Sequence, residues 1–138
     1  MKTKFFSCLI GLFIIFSTTT LFGQELKGTC ELKKAKQYHS LDQAMEEPDM
    51  VNILDVPFSN LTEIPVEIGD FPNLQILSLY KNQIEELPAS IGNLENVMVV
   101  WLQFNNIKEL PAEISGMTEL RYLRLDWNEL KSLPPEIG

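Results

Sequence analysis

The chain has 138 residues, enough for one domain of ordinary size, and a formal net charge of −8 from 19 acidic and 11 basic residues. An acidic surface repels phosphate backbones, whose binding rests on Lys and Arg neutralising phosphates, so nucleic acid is excluded as a partner. Charge otherwise bears on solubility and on partners that carry basic groups, not on fold.

In chain order, residues 1–23 read as a signal peptide. Met1 to Lys4 supplies a basic start, Phe5 to Phe16 an apolar run, and Leu21-Phe22-Gly23 a small-residue cleavage site. Ser7, Ser17 and Thr18 to Thr20 interrupt the stretch, whereas a membrane span needs about 20 apolar residues, so contact with a membrane is expected only through an uncleaved signal anchor. The expected location is secreted, periplasmic or cell surface. Removing this segment takes away Lys2 and Lys4 and no acidic residue, which leaves −10. It also leaves one cysteine, Cys30, expected to be unpaired.

The next stretch, 24–50, divides into a polar lead (24–39) and a short helix over about 40–47. Ser40 followed by Gln43 has the form of a capping box. Leu41, Ala44 and Met45 fall at i, i+3 and i+4, one apolar stripe, and Pro48 forbids continuation. A helix of this kind would cover the open hydrophobic end of a stack of repeats.

Residues 51–138 carry such repeats. The frames VNILDVPFSNL (51–61), LQILSLYKNQI (74–84), VMVVWLQFNNI (97–107) and LRYLRLDWNEL (120–130) share one register, with a period of 23 residues. Behind them come TEIPVEIG (62–69), EELPASIG (85–92), KELPAEIS (108–115) and KSLPPEIG (131–138). The repeats therefore run 51–73, 74–96, 97–119 and a partial 120–138. Leu77 and Leu79 alternate with Ser78 and Tyr80 as in a half-buried strand. Leu87 to Gly92 suits a tight helical or irregular return, with proline setting φ at its start and glycine accepting a positive φ at its end. Asn82, Asn105 and Asn128 recur at one position, with Ser59 in the equivalent place. A buried amide both donates and accepts, so such a column can satisfy backbone groups that leave the strand.

These frames and the LPxxIG returns resemble the leucine-rich-repeat proteins of the Ras-group and bacterial surface type. The resemblance implies a right-handed α/β solenoid, a short curved array with parallel strands on the concave face, short turns on the convex side and an N-terminal capping helix. It implies a non-enzymatic module that binds a protein or peptide on the strand side. The strand positions expected to be exposed are Ile53, Asp55, Pro57 and Phe58; Ile76, Ser78, Tyr80 and Lys81; Val99, Trp101, Gln103 and Phe104; Tyr122, Arg124, Asp126 and Trp127. Six of these are aromatic, and large rigid aromatics with Arg are what binding hot spots are built from. Trp101 and Arg124 hold equivalent places in adjacent repeats. Leu123, Leu125, Leu130 and Ile137 have no following repeat in this sequence, so self-association through that end is expected, and the alternative reading is a non-autonomous fragment of a longer array.

Other chemistry is thin. Cys30, His39 and Asp42 are the residue types of a thiol hydrolase but come with no oxyanion cradle. Cys30 and His39 are two ligands where zinc takes roughly four, and no phosphate-cradling glycine loop or other cofactor motif is present. Asn60-Leu61-Thr62 fits a glycosylation acceptor. The exposed aromatics also suit sugar rings, which keeps a glycan-binding or adhesive role open.

Overall fold

The computed structural model describes residues 35–137. The signal segment, Cys30 and most of the polar lead lie outside the described residues. Five strands run β1 (Gln37–Tyr38), β2 (Ile53–Asp55), β3 (Ile76–Ser78), β4 (Val99–Trp101) and β5 (Tyr122–Arg124). All neighbours pair in parallel, in sequence order. Ile53, Ile76, Val99 and Tyr122 lie opposite one another, as do Leu54, Leu77, Val100 and Leu123. The 23-residue sequence period is therefore the register of the sheet. Strands β2 to β5 each return through a 3-10 turn, at Val66–Asp70, Ala89–Asn93, Ala112–Gly116 and Pro135–Ile137. The result is a leucine-rich-repeat solenoid with its strands on the concave side.

The core is the leucine pattern itself. Leu74, Leu77, Leu79, Ile84, Leu87, Ile91 and Leu94 of one repeat are all buried, and their equivalents stack above and below them in one continuous cluster. Leu123, Leu125, Leu130 and Ile137 are half-buried against that cluster, whereas Val100, Leu102, Ile107 and Ile114 one repeat earlier are buried.

The structure departs from the expectations in three places. First, the polar lead contains β1, which extends the sheet beyond the leucine repeats, and Tyr38 is buried. The helix α1 (Leu41–Glu46) then buries Leu41 and Ala44, with Met45 packed against the core. Second, the capping box is not formed. Ser40 stands at the N-cap with extended φ −144°, but its side chain makes no capping hydrogen bond. The six-residue helix is closed by its backbone, Ala44 N–H donating to Ser40 O at 3.1 Å, and Gln43 is exposed, so water can satisfy its first-turn amides. Third, the return glycines Gly69 and Gly92 do not take a positive φ. They are needed for close approach: a Cβ on Gly92 would lie 2.1 Å from the Glu113 carbonyl oxygen, and one on Gly69 2.6 Å from that of Ser90. The left-handed conformation falls instead at the end of each strand segment, on Phe58, Lys81, Phe104 and Trp127, and also on Asn60.

Candidate binding face

Three rows of side chains cross the strand side of the sheet. Asp55, Ser78, Trp101 and Arg124 lie opposite one another in register. The pairing continues past the regular strands through Phe58 N–H to Tyr80 O (3.2 Å), Lys81 N–H to Gln103 O (2.9 Å) and Phe104 N–H to Asp126 O (3.0 Å). These bonds hold Pro57, Tyr80, Gln103 and Asp126 as a second row, and Phe58, Lys81, Phe104 and Trp127 as a third.

The third row is where the chain turns. Phe58, Lys81, Phe104 and Trp127 have φ between 55° and 59°, a region that costs about 1–2 kcal/mol for residues with a Cβ. The bend drives the next residue inward. Asn82 donates through Nδ2 to Val56 O (2.9 Å) and Leu79 O (3.0 Å), and its Oδ1 accepts from Ser59 N–H and Leu61 N–H. Asn105 bonds Leu79 O, Leu102 O and Ile84 N–H, and Asn128 bonds Leu102 O, Leu125 O and Ile107 N–H. Each amide thus ties its own repeat to the previous one. Among the described residues Ser59 makes no such bridge, and its hydroxyl donates to Pro57 O, two residues away. A second amide column, absent from the sequence reading, runs beside the returns. Asn73 donates to Asp49 O and Asn96 to Pro72 O, at 2.9 and 2.8 Å, and the 23-residue spacing of the two asparagines is its signal in the sequence.

While the ladder asparagines turn in, the rings stay out. Phe58 is 60%, Phe104 41% and Trp127 75% exposed. Together with half-buried Tyr80 they form a continuous column. Phe58 meets Tyr80 edge-on (5.3 Å between ring centres), Tyr80 meets Phe104 edge-on (5.5 Å), and Phe104 stacks on Trp127 (5.6 Å, planes 9° apart). The Lys81 ammonium sits 5.1 Å from the centre of the Phe58 ring. Arg124 bonds Asp126 at 2.9 Å.

Several positions expected on the open face are instead buried. Ile53, Ile76 and Val99 are covered within their own row, because strand neighbours stand only about 4.8 Å apart and shield one another. Ser78 is buried too: it is the smallest side chain of its row, between Asp55 and Trp101. Gln103 is only 7% exposed, and its Oε1 has no hydrogen-bond partner. Asp55, Tyr80, Trp101, Tyr122 and Arg124 are half-buried; Lys81 and Asp126 are exposed.

At the other margin, Gln37 Nε2 donates to Asp55 Oδ2 (3.2 Å) and His39 Nδ1 lies 3.0 Å from the Asp55 carbonyl. Nothing in the lead sequence marks Gln37 as the margin of this face. Beside it, Tyr38 Oη donates to Glu47 Oε2 (2.8 Å), as does the Lys36 ammonium. Lys36 and, secondarily, Tyr38 hold the Glu47 carboxyl below the usual range, and Glu47 raises Lys36 above the usual lysine range. Across repeats, the Lys108–Glu85 pair (2.6 Å) likewise lowers Glu85 and raises Lys108. Asp42 is exposed, and among the described residues no cluster of His, Cys, Asp or Glu is placed to hold a metal ion.

Stacked leucine coils, an asparagine ladder and an open strand face define a repeat solenoid of the recognition type. Residues 52–132 match the family model for a leucine-rich repeat region, and the chain belongs to that family. Among solved structures it is similar to a leucine-rich-repeat protein of Leptospira interrogans (29% identity, TM-score 0.54, 74% of this chain and 38% of that one). It is also similar to a chain of the BIR3–SERK2 complex of Arabidopsis thaliana (25% identity, TM-score 0.61, 69% and 53%). A third is the ectodomain of the Arabidopsis membrane receptor kinase GASSHO1/SCHENGEN3 in complex with CASPARIAN STRIP INTEGRITY FACTOR 2 (26%, TM-score 0.53, 62% and 10%). The chain thus spans about 38% and 53% of the length of the first two. No curated protein matches it by sequence.

Proposed function

We propose that this is an exported recognition module that binds a protein or peptide on its concave strand face. The observation that carries the reading is the exposed column Phe58–Tyr80–Phe104–Trp127. Three of its four rings, those of Phe58, Phe104 and Trp127, are held out in solvent at left-handed backbone positions that cost stability. Contiguous exposed apolar area of this kind marks interaction sites. Trp101 and Arg124, neighbours across β4 and β5 in the row beside it, are the residue types that dominate hot spots. Two of the similar structures are complexes, BIR3 with SERK2 and GASSHO1/SCHENGEN3 with CASPARIAN STRIP INTEGRITY FACTOR 2, which supports the same mode here. Export is supported by the basic start and apolar run of residues 1–23.

The test is capture of a partner by the full chain from secreted extracts, identification of that partner, and titration of it against the double variant Trp101→Ala, Arg124→Ala. Affinity is expected to fall by roughly 30-fold or more, as removal of two hot-spot side chains does. An unchanged affinity would put the site elsewhere on the molecule. A glycan ligand is the second reading, favoured by the exposed amides of Asn60 and Gln83, which bond each other at 3.2 Å one residue past the ladder positions. A glycan array without hits removes it.

A further inference from the structure

We infer that the ring column seats an extended basic segment of the partner, with arginines at alternate positions. This rests on the reading that the strand face is the binding face, and it names the chemistry of the occupant. Three independent features ask for the same group. Ring faces attract cations, and this chain already seats two of its own ammonium groups that way, Lys81 over Phe58 and Lys36 over Tyr38 (4.8 Å). The molecule is acidic by −8, and a basic strand meets complementary charge on approach. Finally, Gln103 Oε1 is a buried carbonyl acceptor without a partner, in the row flanking the column between Tyr80 and Asp126. An acceptor in that state is costly to the free protein and is relieved only by a donor. A guanidinium is donor-only, planar and weakly hydrated, so one group answers rings, charge and acceptor together.

Geometry sets the spacing. Three ring-to-ring steps of 5.3, 5.5 and 5.6 Å give a column about 16 Å long. An extended chain advances about 3.3 Å per residue and points alternate side chains the same way, so same-side residues recur every ~6.6 Å. Roughly five residues therefore span the column, with about three side chains facing it. The pattern is Arg-x-Arg-x-Arg.

Synthetic peptides carrying Arg-Ser-Arg-Ser-Arg, the same residues rearranged as Arg-Arg-Arg-Ser-Ser, and versions with Glu or Gln in place of Arg are the probes. Fluorescence anisotropy gives affinity, and tryptophan emission in a Trp101→Phe background, which leaves exposed Trp127 as the emitter, reports contact with the column. The alternating Arg peptide is expected to bind roughly tenfold tighter than the Gln version and about threefold tighter than the clustered one. Phe104→Leu with Trp127→Gln is expected to weaken it about tenfold, with folding checked by thermal melting. The triple variant Glu63→Gln, Glu86→Gln, Glu109→Gln lowers the negative charge at exposed positions outside the three face rows and is expected to change affinity less than about twofold. Gln103→Leu should weaken peptide binding without lowering the melting temperature, an outcome a purely structural role would not produce.

Equal binding of both Arg peptides together with no effect of the ring variant would reveal bulk attraction and overturn the inference. Preference of the ring column for the Glu or Gln peptide overturns it as well, while leaving the strand face as the binding surface. If no peptide binds at all, the basic-segment assignment is wrong, and the capture experiment still decides whether the face binds something else.

Discussion

Two columns of residues run across the repeats one position apart, and they have opposite fates. Asn82, Asn105 and Asn128 turn inward and bond backbone carbonyls of two repeats. Phe58, Lys81, Phe104 and Trp127 immediately precede these positions and remain outside. One backbone bend does both jobs, since the left-handed residue that sends the amide in also holds its own side chain out. The amide column allows only the residue that completes its bonds, whereas the outer column tolerates Phe, Lys and Trp because solvent or a partner faces it. The buried, bonded column and the exposed column are thereby separated by a single residue step.

The comparison breaks most visibly at the inner column. Asn105→Ala leaves the buried Ile84 N–H without its acceptor and reduces Leu79 O and Leu102 O to the remaining amides of Asn82 and Asn128. A loss of about 2–3 kcal/mol is expected from one orphaned N–H and two carbonyls each short of a donor, read by urea denaturation. A loss below about 1 kcal/mol would mean that the ladder is ornamental. Next is Gly92→Ala on the convex side, where the added methyl meets the Glu113 carbonyl at 2.1 Å. It should cost about 2–3 kcal/mol by overpacking against backbone that cannot rotate away. Gly69→Ala, with more room at 2.6 Å, should cost less.

At the outer column the effect should nearly vanish. Phe104→Asn gives up ring contacts worth about 1 kcal/mol and relieves a left-handed position that Asn tolerates for a similar gain. Net stability is expected to stay within about 1 kcal/mol, so a large loss on denaturation would show that the rings are structural. The smallest effect belongs to the exposed Glu85–Lys108 pair. Its carboxyl is depressed in the folded protein, so its contribution is present above the ordinary carboxylate range and fades as pH falls through the folded value. Comparing Glu85→Gln with the parent should show a slight deficit at neutral pH that closes on acidification and in high salt. A deficit that grew on acidification would contradict the pairing.

Much of the fold is legible in the residues alone, because leucine at a fixed period forces burial on every turn. Leu77 and Leu79 alternate with Ser78 and Tyr80, and that alternation places the core side correctly. The strand face is harder to read. Alternation puts Ser78 and Gln103 outward, but outward on a tight parallel sheet is not the same as exposed, and both are buried under larger neighbours. Tyr80 and Phe104 occupy different rows, so only their edge-on contact reveals one ring column. The lead segment carries no repeat at all, and β1 exists because the edge of β2 offers Gln37 and Tyr38 a parallel partner.

The sequence by itself determined the repeat length, the parallel register, the inward leucines and the positions of the ladder amides. Each of these is a local pattern repeated, and repetition converts short-range preference into long-range order. Tertiary structure alone decided that Gly69 and Gly92 serve close approach rather than backbone freedom, that the left-handed bend falls on Phe58, Lys81, Phe104 and Trp127, and that Gln103 holds an unpaired carbonyl. Those outcomes depend on the distance between neighbouring coils, and a chain read one residue at a time has no term for that distance.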